Sequence, residues 1–381
     1  MRSEDRRSAD VIVAGGGVFG CSTAYHLARD GVEVILLERD FIAAGASGAS
    51  AGMISTPSDT AEWMVKYILA GHRLLHEYQD ELEVDYELVH GGSFYLGFTE
   101  EECEGLRAQV ERSNSVGLTF EYLEASQVLE MEPHYNPALL GASFNPVATQ
   151  VNPMLVTFAF AQAAARHGAT IRTGVRVSEI ESAANQTQVV HTNVGTFEAK
   201  WVVDAAGAWA PELLRRQNIA VPVWPSRGQI VLTEPLPRIT DRMVHIPGRG
   251  YTRQTSSGNF FIGSHQELVG FDKKVTLERI TFFARTAVMA IPMLANVRLL
   301  RAHAGMRPMS PDQYPIIGPV PGHEQILMAT GASGTGIQYG PICGLLTAEH
   351  IVKGKPHLPW EELSVMRFHT GMVEPVIHDV E

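Results

Sequence analysis

Apolar and polar positions alternate along the chain in two periods. Val11-Ile12-Val13 is a short apolar run, stopped by Gly15-Gly16-Gly17. From Cys21 to Arg29 the residues Ala24, Leu27 and Ala28 recur at helical spacing, and Gly31 ends the segment. Val34, Ile35, Leu36 and Leu37 are then consecutive, within Val32 to Leu37. An unbroken run of this kind suits a strand buried on both faces of a parallel sheet. Strand, glycine turn, helix, glycine and strand make one βαβ unit.

Further along, helical spacing predicts helices over Ala61 to Glu81, Pro153 to His167, Leu277 to Met293 and Ile342 to Val352. Strands are predicted at Ile171 to Ile180, Trp201 to Ala205, Gly228 to Thr233, Tyr251 to Gln254 and Phe260 to Ser264. Tyr86 to Phe98 and Leu118 to Asn145 are short and mixed. No fixed-period repeat is present. A chain of 381 residues exceeds the roughly 250–300 that one core holds, so two domains are expected. The first and last thirds read as α/β and bracket antiparallel-looking segments. The expected fold is an α/β nucleotide-binding domain in pieces (8–85, 146–222 and 300–360) with an antiparallel-sheet substrate domain inserted (86–145 and 223–299). Residues 361–381 read as a C-terminal tail.

The formal net charge of −12, without a basic block, argues against nucleic acid and against anionic membrane surfaces as partners. No apolar run approaches the roughly 20 residues that span a bilayer, so no transmembrane segment is expected. The charged start, Met1 to Asp10, lacks a signal-peptide apolar region. Cys21, Cys103 and Cys343 are far apart and form no CxxC pair, so neither a disulfide framework nor a zinc or other metal site is expected. A cytoplasmic location is the simplest reading.

The 35 glycines change the picture because they cluster. Gly15-x-Gly17-x-x-Gly20 follows a strand and opens a helix. Its glycines serve a tight turn, close approach to a pyrophosphate, and helix–strand packing. The helix N-terminus adds N–H groups and a partial positive charge. Glu38 closes the second strand 23 residues after Gly15, the spacing of a carboxylate that accepts from ribose hydroxyls. FAD and NAD share this fingerprint, and an NAD-dependent dehydrogenase is one reading of it. Two features favour FAD. One is the small-residue run Gly45-Ala46-Ser47-Gly48-Ala49-Ser50-Ala51-Gly52. The other is the strand and turn Val202-Val203-Asp204-Ala205-Ala206-Gly207-Ala208-Trp209.

With these stretches, Ala304-Gly305-Met306-Arg307-Pro308, Pro311-Asp312, Pro315-Ile316-Ile317-Gly318 and Gly331-Ala332-Ser333-Gly334-Thr335-Gly336-Ile337, the chain resembles the D-amino-acid oxidase superfamily of FAD enzymes. The likeness is to its glycine oxidase and sarcosine oxidase branch and covers roughly Asp10 to Lys353. The resemblance implies a Rossmann-like FAD-binding domain. Gly15, Gly17, Val18, Phe19, Gly20, Glu38 and Arg39 would hold the ADP half, with backbone contacts from Val175. Ser47, Ser50, Ala51, Gly52 and Met53 would pass beside the isoalloxazine, and Ala206 and Gly207 would form the late turn. Gly331, Ser333, Gly334, Thr335, Gly336, Ile337 and Gln338 would present backbone N–H groups at the start of the closing helix. On this reading each glycine cluster marks where backbone approaches one extended cofactor.

For substrate, the resemblance singles out Arg307 as the clamp on a carboxylate, which a guanidinium meets with two parallel hydrogen bonds. The alternative is a structural Arg paired with Asp312. Tyr251 faces substrate in the family and otherwise reads as a core aromatic. His303 sits where relatives carry an aromatic residue over the flavin, and it either assists proton transfer or packs. His265 is equally open. Gly305 stands where the sarcosine oxidases carry a flavin-tethering Cys, which implies noncovalent FAD. Phe261 falls near their oxygen-activating Lys, and Gln338 where they have a carboxylate-binding Lys. The implied activity is oxidation of the C–N bond of an amino acid or N-substituted amino acid of the sarcosine, glycine, proline, hydroxyproline or opine type. Hydride passes to flavin, and the imine hydrolyses to a 2-oxo acid and an amine. The missing Lys favours a dehydrogenase over an oxidase and makes redox partner subunits a second implication. A non-catalytic flavin-binding or electron-relay subunit is the alternative.

Overall fold

The computed structural model describes residues 6–56, 60–183, 187–215 and 220–368. Five parallel strands form the centre of a first sheet, in the spatial order Thr170–Arg172, Val34–Leu37, Ser8–Ala14, Gly195–Asp204 and His323–Thr330. Ile316–Val320 adds an antiparallel edge. A ribbon of Val177–Ser182 and Gln188–Thr192 extends from Gly195–Asp204.

The unbroken apolar runs are explained by the two faces of this sheet. Val11, Val13, Val34 and Leu36 enter one apolar cluster with the helices Val18–Arg29, Pro153–Arg166 and Gly336–Lys353. Ile12, Ala14, Ile35 and Leu37 enter a second cluster on the opposite face. The closing helix lies close on the first one. A Cβ at Gly344 would stand 2.3 Å from the Ser22 hydroxyl, and one at Gly340 2.5 Å from Val18. Part of the last glycine cluster therefore serves helix–helix approach, which corrects the reading of every cluster as cofactor backbone.

The second sheet has eight strands in the order Leu299–Met309, Trp224–Thr233, Phe260–Glu267, Gly250–Gln254, Met243–Ile246, Ser93–Gly97, Gly141–Asn145 and Glu121–Glu124. All neighbours are antiparallel except Met243–Ile246 with Ser93–Gly97. Its register decides which side chains share a face. Tyr251 stands opposite both His245 and Gly263, and His245 opposite Tyr95. Gly228 stands opposite Gly305, and Ser226 opposite Arg307. One face thus gathers Tyr95, His245, Tyr251, Gly228 and Arg307. The other gathers Phe94, Val231, Val244, Ile246, Phe260 and Ile262, packed with the helix Leu277–Ala290 in a third apolar cluster.

Several elements differ from expectation for local reasons. Ile171 to Ile180 is two strands, broken at Gly174 with φ +74°. The helix from Leu277 stops at Ala290 because Ile291 precedes Pro292 and is extended. Leu299–Met309 is an unexpected strand of 11 residues in the second sheet, so residues 300–309 do not run with the first sheet as expected. The helix Glu100–Ser115 went unrecognised because it buries only Cys103, Leu106, Gln109 and Ser113, although Thr99 and Glu102 form its capping box. Residues 361–368 are not a free tail: Leu363 and Val365 are buried, and Arg367 donates to both oxygens of Asp312, at 2.7 and 2.9 Å. Residues 369–381 lie outside the described ones. Cys21, Cys103 and Cys343 are buried and unpaired. Among the described residues no helix is long and apolar enough to cross a membrane.

Candidate active site

A cavity of about 660 Å³ is lined by residues of both sheets. At one end its wall is the turn after the first strand. Gly15, Gly17, Val18 and Phe19 face it. Gly15 has φ +120°, and a Cβ there would stand 2.4 Å from the Ala205 carbonyl. Gly20 lies behind the wall, where a Cβ would be 2.0 Å from the Gly15 carbonyl, so its service is helix–strand packing. Glu38 faces the cavity from the end of the second strand. Its carboxylate accepts from Gly16 N at 2.7 Å and Asp40 N at 2.8 Å, and keeps lone pairs for further donors. Arg39 lays its guanidinium 3.8 Å from the Trp209 ring centre, and Phe271 stacks on the same ring at 4.8 Å. Val175 lines this end because the chain breaks its strand at Gly174.

The middle is lined by Ser47, Ser50, Ala51 and Met53 on one side and by Ala206, Gly207 and Ser333 to Ile337 on the other. Ser47 sits nearer the first helix than expected: its hydroxyl accepts from Val18 N at 3.0 Å. Gly52 turns away, with φ +69° and its Cβ position 2.1 Å from the Val151 carbonyl. Gly331 packs on Ile316 behind the wall, and Gln338 is buried near His72. Asp204 shapes the late turn by accepting from Ala206 N at 3.0 Å, and burial pushes its carboxyl up to about 7.

The small-residue loop is held from behind by Arg253, a residue the sequence reading did not reach. It is 4% exposed and bonds the Ala51 carbonyl, Gln150 Oε1 at 2.9 Å and the Val151 carbonyl at 3.1 Å. Burial lowers its guanidinium to about 10. The Arg253 guanidinium also lies 5.0 Å from the Phe261 ring centre. His303 hydrogen-bonds the backbone at Ala49, burial holds its pKa down, and it does not line the cavity. The side chain of His265 lies outside the described residues.

At the far end stand Ser55, Tyr95, Gly228, His245, Tyr251 and Arg307. Two glycines make room there. A Cβ at Gly228 would lie 2.8 Å from Arg307 Cζ, and one at Gly263 2.7 Å from the Tyr251 hydroxyl. Burial raises the Tyr251 pKa, and the hydrogen-bonded Arg307 guanidinium opposes that rise. Asp312, the alternative partner of Arg307, is engaged by Arg367. His245 stacks on Tyr95 at 4.3 Å and 8°, and burial lowers it to about 4. Tyr95, His245 and Ser55 carry no motif; the register of the second sheet reveals the first two, and Ser55 reaches that sheet through its hydroxyl, 3.2 Å from that of Ser93.

The family DAO, FAD dependent oxidoreductase, matches residues 10–350. The chain belongs to the DAO family of FAD dependent oxidoreductases. It is 30% identical over 408 aligned positions to the hydrogen cyanide synthase subunit HcnC of Pseudomonas protegens, covering 96% of this chain and 97% of the relative. A crystal structure of glycine oxidase from Geobacillus kaustophilus superposes with TM-score 0.90 at 28% identity, covering 95% of this chain and 99% of the other. One of L-proline dehydrogenase from P. horikoshii does so with TM-score 0.88 at 27% identity, covering 97% and 100%. As in the sequence reading, the fold is mixed α/β with a discontinuous nucleotide-binding sheet and a second, largely antiparallel one. The cavity of this DAO protein fits FAD on its own features. Gly15 in the turn has no room for a side chain, a helix N-terminus opens beside it, and a strand-end carboxylate flanks it.

Proposed function

We propose that this protein oxidises the C–N bond of an amino acid or N-substituted amino acid, with noncovalent FAD held along the cavity and the substrate carboxylate held by Arg307. One observation carries the reading: a half-buried guanidinium, paired with a phenol, lies on the cavity face of the second sheet, at the opposite end from the Gly15 turn. The names of glycine oxidase and L-proline dehydrogenase, which share this fold over nearly their full length, support an amino-acid substrate.

FAD supplies the hydride acceptor that no side chain provides. The chain supplies position. Gly15, Gly17, Val18, Phe19 and Glu38 hold the ADP half, with Arg39 and Val175 beside them. The Ser47–Met53 loop and the turn from Ser333 to Ile337 flank the ring system. Arg307 fixes the carboxylate by two parallel hydrogen bonds, and Tyr251 donates to it from the side. Such fixation presents the Cα–H in one orientation, where much of the rate resides. The substrate loses a hydride from Cα and a proton from nitrogen, and water converts the resulting imine to a 2-oxo acid and an amine. Noncovalent attachment is supported by Gly305, whose Cβ position is 2.5 Å from Ala49 Cβ and leaves no room for a tethering side chain. His303 takes a positioning part, through Ala49.

Phe261 under the Arg253 guanidinium, in place of a lysine, favours an acceptor other than oxygen. HcnC is a subunit of a larger enzyme by its name, which supports a redox partner subunit here too. The test is anaerobic bleaching of the flavin band near ~450 nm by D- and L-amino acids, N-methyl amino acids and opines. If none bleaches it, the electron-relay alternative takes over. Fast reoxidation by air in stopped flow would overturn the dehydrogenase assignment.

A further inference from the structure

We infer that the cavity beyond Arg307 is a subsite for an uncharged hydrogen-bonding group on the substrate, a hydroxyl or carboxamide carried on its side chain or on its amine, and that His245 is the residue that selects it. The inference rests on the reading of Arg307 as the carboxylate clamp. Register places His245 directly beside Tyr251, with ring centroids 6.2 Å apart. A group that meets His245 therefore lies about one aromatic ring from the one that meets Arg307, which limits the substrate to a few carbons.

His245 is prepared for a partner. Its ring lines the cavity and is fixed by parallel stacking on Tyr95, yet its buried Nε2 has no hydrogen-bond partner in the protein. Buried polar atoms are rarely left so, because water is lost without replacement. Hydride removal as proposed above does not use this nitrogen.

The same surroundings argue against a second carboxylate. Among the described residues that line this end, Arg307 is the one cation. Arg39 and Arg176 line the opposite end, next to Glu38 and Val175. Arg253, the next cation on this face, is committed to Ala51, Gln150 and Val151. Burial keeps His245 neutral near pH 7, so it offers one hydrogen bond and no charge. An anion placed there would be desolvated without a counter-ion.

Two isosteric series test this on the FAD-loaded protein, read as rate of anaerobic flavin reduction over Kd. One is N-(2-hydroxyethyl)glycine, N-propylglycine and iminodiacetate. The other is homoserine, norvaline and aspartate, each as both enantiomers. For a compound that does not reduce the flavin, Kd is taken from its shift of the flavin absorption. The expected result, in at least one series, is a preference for the hydroxyl over the alkyl member of about 5–10-fold, a larger preference over the carboxylate, and collapse of the hydroxyl preference toward unity in His245→Phe. Should that variant yield no flavoprotein, His245→Leu reads the same ratio. A wild-type protein that prefers the alkyl or the carboxylate member in both series overturns the inference, as does a preference that survives in the variants. Arg307→Ala run alongside separates the two readings. If it reduces as wild type does, the clamp is wrong. If it fails while the His245 variants keep the preference, only the subsite is wrong.

Discussion

At the Gly15 end the cavity is walled by backbone, and at the Arg307 end by side chains. At Gly15 and Gly20 the constraint is space: Cβ atoms there would sit 2.4 and 2.0 Å from carbonyl oxygens. Around Arg307 the glycines serve side chains instead, with Gly228 lying under a guanidinium and Gly263 under a phenol. A backbone-built site fits the part of a ligand that never changes, because backbone does not vary with sequence. A side-chain-built site can be re-tuned residue by residue. That division matches an FAD-dependent family whose relatives are named for different substrates.

The difference can be broken from either side. The largest effect is expected at the backbone end. Gly15→Ala strains φ +120° and drives a methyl into Ala205, so the variant should purify without flavin, read as the flavin-to-protein absorbance ratio. Full flavin content would show that the turn is not a tight cradle. Gly228→Val at the other end should keep its flavin and displace the guanidinium, lowering kcat/KM for carboxylate substrates about 100-fold. Loss of flavin there would blur the two-ended account.

Smaller effects sharpen it. His245 takes up its proton near pH 4 when folded but near 6.5 when unfolded. Between those values the unfolded chain binds more protons, so stability falls as pH falls. Against His245→Phe, wild type should therefore lose up to about 3 kcal/mol across that window in denaturant titrations. Parallel curves would mean the ring is not desolvated. Phe271→Ala removes one layer of the stack on Trp209 beside Arg39 and should speed FAD dissociation only about 2–10-fold, at roughly 0.5–1.5 kcal/mol for an aromatic pair.

The same contrast decides what the sequence reveals. Gly15-x-Gly17-x-x-Gly20 and Glu38 are legible because backbone crowding excludes a side chain at Gly15 and Gly20, and because a turn and a strand set the spacings. The apolar runs at Val11 and Val34 are legible because both sheet faces are buried. His245 and Tyr95 are not, because they meet only through the pairing of Met243–Ile246 with Ser93–Gly97, about 150 residues apart in sequence. Arg253 reads as one more surface charge until the loop it ties down is in view. Phe271 reaches Trp209 by a loop whose reach no periodicity encodes. Gly340 and Gly344 mislead in the other direction, since close packing of two helices leaves the same glycine signature as a cofactor.

The central claim is that one residue, Arg307, couples substrate to a cofactor held elsewhere by backbone. Stopped-flow flavin reduction by the best amino-acid substrate, compared in wild type and Arg307→Ala at matched flavin content, tests it most directly. The account predicts full flavin occupancy in the variant and a fall of about 1,000-fold in the ratio of reduction rate to Kd, the scale of removing a bidentate, charge-assisted clamp on a carboxylate. Reduction at the wild-type rate and affinity would contradict it.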